Sequence, residues 1–204
     1  LLRNIMGLVR PERGRILIAG QDVVGRSEAD LNLIRRRMGM CFQYAALFDS
    51  LTVFDNVAFG LRRRGLPDAV VREKVEHYLE VVGLEGTGDQ MPADLSGGMR
   101  KRVGVARALV TEPELVLYDE PTSGLDPVLA ATIDALIVKL RDEFGVTSIV
   151  VTHDVPHLFG YADRALMLYE GRARDCDTPE HLRHSADPVL RQFIEGRVSG
   201  PIRV

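Results

Sequence analysis

Residues 95–126, LSGGMRKRVGVARALVTEPELVLYDEPTSGLD, hold three readable segments in one run. A small-residue turn, Ser96-Gly97-Gly98, opens directly into a helical pattern with apolar Met99, Val103, Val105 and Ala106. A short, nearly all-apolar strand from Leu115 then ends in two carboxylates, Asp119 and Glu120, before a Pro- and Gly-containing turn that closes on Asp126. Each segment has an ordinary explanation, a Gly-rich helix cap or a solvated loop, and each has a chemical one. Free N–H groups at a helix start, without Cβ bulk in the way, make an anion site worth about 0.3–2 kcal/mol from the dipole. Ligands in open α/β sheets bind outside the carboxyl ends of strands. There one carboxylate can hold Mg²⁺ while a neighbouring Glu takes the proton from an attacking water. For any segment alone the ordinary reading wins, but few unrelated sequences combine all three in this order.

Outward from this run the chain alternates strands and helices. SEADLNLIRR has Ser27 and Asp30 at capping-box spacing, which predicts a helix, and MGMCF after it reads as a buried strand. LTVFDNVAFGLRR repeats the device with Thr52 and Asp55, and PDAVVREKVEHYLEVV has Pro67 at its head and Gly83 beyond its end. Residues 52–110 read as helices without a strand. Strands return at 115–119, 147–153 and 164–170. Short apolar strands between helices predict an α/β fold with a mostly parallel sheet covered on both faces, into which the helical block is inserted. At the start, Leu1, Leu2, Ile5, Met6 and Val9 share one face of a 3.6-residue period, an amphipathic helix with no capping residue ahead of it, and RILIAG after the turn reads as a strand. The last eighteen residues read as a short helix and an extended tail.

Composition narrows the class. The 204 residues, 46% hydrophobic, are enough for one sizeable core, and no apolar run approaches the roughly twenty residues that span a bilayer. A formal charge of −3 argues against a dedicated nucleic-acid binder. Cys41 and Cys176 lie far apart without CxxC spacing, so reduced thiols are expected rather than a disulfide framework. The triplets Arg35-Arg36-Arg37 and Arg62-Arg63-Arg64 fit solvated helix ends, where cations suit the dipole. The pairs His153/His157 and His181/His184 have zinc-like spacing, but Pro156 interrupts the first and no HExxH Glu accompanies it.

LSGGM at 95–99 resembles the signature motif of ATP-binding cassette (ABC) ATPases, LVLYDE their Walker B strand and SGLD at 123–126 their D-loop. Gln43 in CFQYAALF matches the Q-loop glutamine, and His153 in IVVTHD the switch histidine. Met99 departs from the Gln that most members carry. The resemblance covers essentially the whole chain and implies a P-loop NTPase-type core, ATP and Mg²⁺ as cofactors, and ATP hydrolysis coupled to transport. Residue by residue it implies that Asp119, with Gln43, helps hold Mg²⁺, that Glu120 activates the water, and that Gln43 and His153 sense or support the γ-phosphate. It implies that Ser96, Gly97 and Gly98 touch ATP on a second subunit in a head-to-tail dimer, which Asp126 bridges. A finer resemblance, in FQYAALFDSLTVFDNVAFGLR, the Met of LSGGM, THDV and RQFIEGRVSGP, is to the ATPases of Mce- and Mla-type lipid transporters. It implies a transmembrane permease partner that handles the lipid, no nucleic acid, and a cytoplasmic subunit peripheral on the inner membrane. The expected organisation is a nucleotide-binding domain over 1–186, its helical subdomain at about 52–110, and a helix and tail over 187–204.

No G-x-x-x-x-G-K-[ST] phosphate loop occurs in the 204 residues. LLRNIMGL resembles the helix that follows that loop in the family, so the start reads as a cut just after it, and residues 1–204 taken literally are expected to bind ATP very weakly. Two alternatives compete: an ABC ATPase for a non-lipid substrate, and a module without independent ATP binding. The compact block between Gln43 and Ser96 leaves no room for the coiled coil of DNA-repair members, and no second cassette of the translation type is visible.

Overall fold

β4 (Leu115–Asp119) is the centre of the molecule's parallel sheet, and its residues show why: Val116, Leu117 and Tyr118 are fully buried. A strand apolar on both faces must be covered on both. β3 (Met38–Cys41) and β5 (Thr147–Val151) flank it in the order β3-β4-β5, all parallel, with Gly39 opposite Val116 and Asp119 opposite Val151. The computed structural model describes residues 1–203, which form two units, Leu1–Val151 and the remainder from Thr152.

In the first unit the capping residues act where the spacing predicts. Ser27 Oγ accepts from the Asp30 N–H at the head of α2 (Glu28–Arg35), and Thr52 Oγ1 from the Asp55 N–H at the head of α3 (Val53–Arg63). α4 (Asp68–Val81), a 3₁₀ turn at Pro92–Asp94 and α5 (Gly97–Leu109) complete the helical block between β3 and β4. Val53, Val57, Val71, Val75 and Val103 are its buried centre, each worth about 1.5–3 kcal/mol of burial. Asn56, also fully buried, donates to the carbonyls of Phe48, Leu51 and Thr52 and accepts from the Phe48 N–H, tying the loop after β3 to α3. α6 (Pro127–Phe144) returns the chain from β4 to β5 and ends at Gly145, whose φ of +63° suits a residue without Cβ.

α5 lies so close to β3 that a Cβ on Gly39 would stand 2.7 Å from the Ala108 carbonyl oxygen. Backbone cannot yield as a flexible side chain does. Gly39→Ala is therefore expected to destabilise the fold by about 1–3 kcal/mol, read from the urea midpoint; an unchanged midpoint contradicts the close approach.

Two expectations need correction. The first helix, α1 (Leu2–Ile5), is one turn long: the chain leaves it at Gly7, φ +66°, and Val9 is half exposed instead of continuing the apolar face. RILIAG gives the short strand expected, β1 (Leu17–Ile18), which bends at Gly20 and pairs antiparallel with β2 (Gln21–Asp22). RALMLYE does not join the parallel sheet. It forms β6 (Ala165–Tyr169) in the second unit, paired antiparallel with β7 (Arg172–Asp177) through Glu170 and Gly171, φ +48° and +71°, the positive-φ pair of a tight hairpin. β7, RARDCD, escaped the apolar criterion because its residues are polar and mostly exposed. α7 (Val155–Tyr161), α8 (Pro179–Arg183) and α9 (Pro188–Glu195) complete this unit.

The arginine triplets do end helices, but several of their members also brace loops. Arg35 donates to the carbonyls of Met6 and Gly7, and Arg64 to those of Thr111 and Arg36.

Candidate functional site

The carboxyl ends of β3 and β4 place the motif residues of the first unit side by side. Asp119 is the last residue of β4, and the Glu120 N–H continues the ladder to the Val151 carbonyl at 2.8 Å. Glu120 then turns with φ +49°, a left-handed conformation that costs an L-residue about 1–2 kcal/mol and that Glu seldom adopts. Such strain persists only where the surroundings over-determine it. Here the Glu120 carbonyl accepts from the Ser123 N–H at 3.3 Å and from Lys101 Nζ at 3.2 Å, and Lys101 also donates to the Pro121 carbonyl at 2.8 Å. Across the strand ends, Gln43 Nε2 reaches Ser123 Oγ at 3.4 Å, joining the loop after β3 to the turn after β4.

That loop is strained too. Ala45 and Ala46 follow one another with φ +59° and +47°, and the Arg107 guanidinium on α5 donates to both carbonyls, at 2.6 and 2.7 Å. Partial burial lowers the pKa of Arg107 without approaching neutrality at physiological pH. Cys41 beneath it is buried and its thiol is pushed up to about 12, so it stays protonated and inert. Lys101 and Arg107 were not legible as site residues from sequence, because a cation inside an amphipathic helix resembles a solvated one. The one available signal was spacing: both lie on the helix opened by Ser96-Gly97-Gly98.

Ser96 caps α5, accepting from the Met99 N–H at 3.2 Å, and Ser96 and Gly97 are exposed. A Cβ on Gly97 would meet Leu125 at 3.8 Å and one on Gly98 would meet Leu129 at 3.5 Å, so this turn packs on the segment carrying Asp126. Asp126 caps α6, accepting from the N–H groups of Val128 and Leu129 at 3.0 and 3.1 Å. His153 belongs to the second unit, where it is exposed and its carbonyl accepts from the Val155 N–H. Beside the loop after β3, the first unit also holds a cavity of about 650 Å³, lined among others by Met38, Phe42, Phe48, Phe59 and Arg63.

The donors at the strand ends suit Mg²⁺. The Asp119 carboxylate, the Gln43 amide oxygen and the Ser123 hydroxyl are hard oxygen ligands, and Mg²⁺ typically takes one or two carboxylates with nucleotide phosphates and water.

The protein-family model described as ABC transporter matches residues 1–123. The chain belongs to the ABC transporter family. It is 42% identical over 204 residues to the intermembrane phospholipid transport system ATP-binding protein MlaF of Haemophilus influenzae, covering 100% of this chain and 77% of that protein. It is 42% identical over 202 residues to the probable ribonucleotide transport ATP-binding protein mkl of Mycobacterium tuberculosis, covering 98% and 56%. Among solved structures, cbiO1 of Clostridium perfringens, part of the ABC transporter complex cbiONQ, matches with a TM-score of 0.83 at 32% identity over 97% of this chain and 78% of that one. The ATP-binding cassette MJ0796, in a dimeric post-hydrolysis state bound to ADP and Pi, matches with a TM-score of 0.79 at 31% identity, covering 87% and 78%. This ABC ATPase thus has the α/β fold expected of its sequence, and its cofactors are ATP and Mg²⁺. No helix among the described residues is long and apolar enough to cross a membrane.

Proposed function

We propose that this ABC ATPase drives the movement of phospholipid or another lipid through a transmembrane partner. The observation that carries the catalytic part is the pairing at the strand ends: Asp119 and Glu120 close the central strand while Gln43 reaches across to Ser123. In this reading the Glu120 carboxylate takes the proton of the water that attacks the γ-phosphorus, as the bond to the bridging oxygen breaks and ADP leaves. Asp119 and Gln43 would hold Mg²⁺, which when bound neutralises charge developing on the phosphate oxygens. His153 supports the same transition state. Ser96 and Gly97, exposed at the head of a 13-residue helix, and Gly98, buried behind them, face ATP on a second copy in a head-to-tail dimer, and Asp126 stands at the junction.

The cavity beside Phe42, lined by apolar side chains together with arginines such as Arg63 and Arg107, suits a segment of the transmembrane partner, which would keep the subunit on the cytoplasmic face of the inner membrane. Residues 1–186 form the nucleotide-binding domain in this reading, with 52–110 as its helical subdomain and 187–204 as an appended helix and tail. The similarity to MlaF supports the lipid. The test is the full-length gene product reconstituted with its membrane subunits in proteoliposomes. ATP-dependent transfer of a fluorescent phospholipid between leaflets or to acceptor vesicles is expected. ATP turnover without any lipid transfer would leave an ABC ATPase for another substrate.

A further inference from the structure

We propose that Lys101 is a positioning residue for Glu120, its ammonium fixing two successive carbonyls of the base-bearing turn and thereby the direction in which the Glu120 carboxylate leaves the chain. The proposal rests on Glu120 acting as the base. Three observations support it independently of that role. Glu120 precedes Pro121, and a residue before proline is steered toward extended backbone, yet it adopts φ +49°. The departure needs an external hold, and Lys101 Nζ supplies one at 3.2 Å from the Glu120 carbonyl and 2.8 Å from that of Pro121. The cation comes from another element, α5, nineteen residues earlier than Glu120, so no local turn geometry requires it.

Charge matters as well as reach. Lys101 is half-buried, and desolvation lowers its pKa while the negative charge of Glu120 works in the opposite direction. The negative charge of Glu120 thus favours the charged form of the ammonium that holds its backbone. A donor to a carbonyl is strongest when charged. An arginine keeps the charge and the donors; a methionine of similar length keeps the packing alone. Lys101 also belongs to the helix that Ser96 caps, so the base turn is tied to the element whose N-terminus is exposed.

The experiment is steady-state ATP hydrolysis by the full-length gene product carrying Lys101→Met, Lys101→Arg or Glu120→Gln, with melting temperatures recorded alongside. Lys101→Met is expected to lower kcat about 10- to 100-fold with the KM for ATP within about threefold, because misplacing a catalytic group by an ångström has that effect. Lys101→Arg is expected to recover most of the loss. Wild-type kcat in Lys101→Met, with Glu120→Gln inactive, overturns the positioning role and leaves the base intact. Turnover in Glu120→Gln overturns the base itself. A loss in Lys101→Met that Lys101→Arg does not relieve, or that appears in KM, also overturns the proposal. Should Lys101→Met fail to fold, Lys101→Gln, shorter and uncharged, is read by the same split: lower kcat at unchanged KM supports the role and unchanged kcat overturns it.

Discussion

Glu120→Gln is expected to reduce steady-state ATP hydrolysis by about 10²- to 10⁴-fold, the range of a general base, while ATP binding and ATP-dependent dimerisation persist. The substitution keeps the volume of the side chain and leaves the backbone hold untouched. The Glu120 N–H still reaches the Val151 carbonyl, and Lys101 still reaches the two carbonyls of the turn. What it removes is the capacity to accept a proton. The measurement is phosphate release against nucleotide affinity and dimer content by size-exclusion chromatography. Undiminished turnover would take Glu120 out of the role of base, and lost binding would mean that it holds nucleotide instead.

Gly97→Asp separates structure from function at the other end of the site. Gly97 is the first residue of α5, it is exposed, and an added Cβ would make only ordinary contact, 3.8 Å from Leu125. An aspartate in a first helical turn favours the dipole by about 0.3–1 kcal/mol, so the variant should melt no lower than the parent. If this helix start instead receives the γ-phosphate of a second copy, the new carboxylate places like charge against phosphate. ATP-dependent dimerisation and hydrolysis are then expected to fall by about 10²-fold or more, like charges at contact costing several kcal/mol. A variant that remains stable and fully active would show that the turn is an ordinary helix cap. Stability and activity thus move in opposite directions, which no folding defect produces.

The sheet centre and the helix caps were legible because each rests on local chemistry. Leu115 to Tyr118 is apolar at every position, which only a strand covered on both faces tolerates, and it is buried throughout. Ser27, Thr52 and Ser96 each precede a run of helical periodicity, and all three accept from an N–H group of the first turn. The strand at 164–170 was equally visible as a strand, but its partner was not. Pairing with RARDCD depends on the Glu170-Gly171 turn, a short-range signal that apolar runs do not contain. α1 stops short for a related reason: Val9 satisfies the period, yet Gly7 adopts a positive φ that takes the chain out of the helix first.

For the candidate site, sequence order alone placed Asp119 and Glu120 at a strand end and Ser96 to Gly98 at a helix start, since both follow from where an apolar pattern begins or stops. It could not show what holds those groups in place. That Gln43 meets Ser123 across eighty residues, that Arg107 carries the strained Ala45-Ala46 pair, and that Lys101 secures the turn of Glu120 are long-range contacts between side chains and backbone carbonyls. A carbonyl has no sequence signature, because every residue possesses one. Only the packing of α5 against the two loops determines which carbonyls these cations reach.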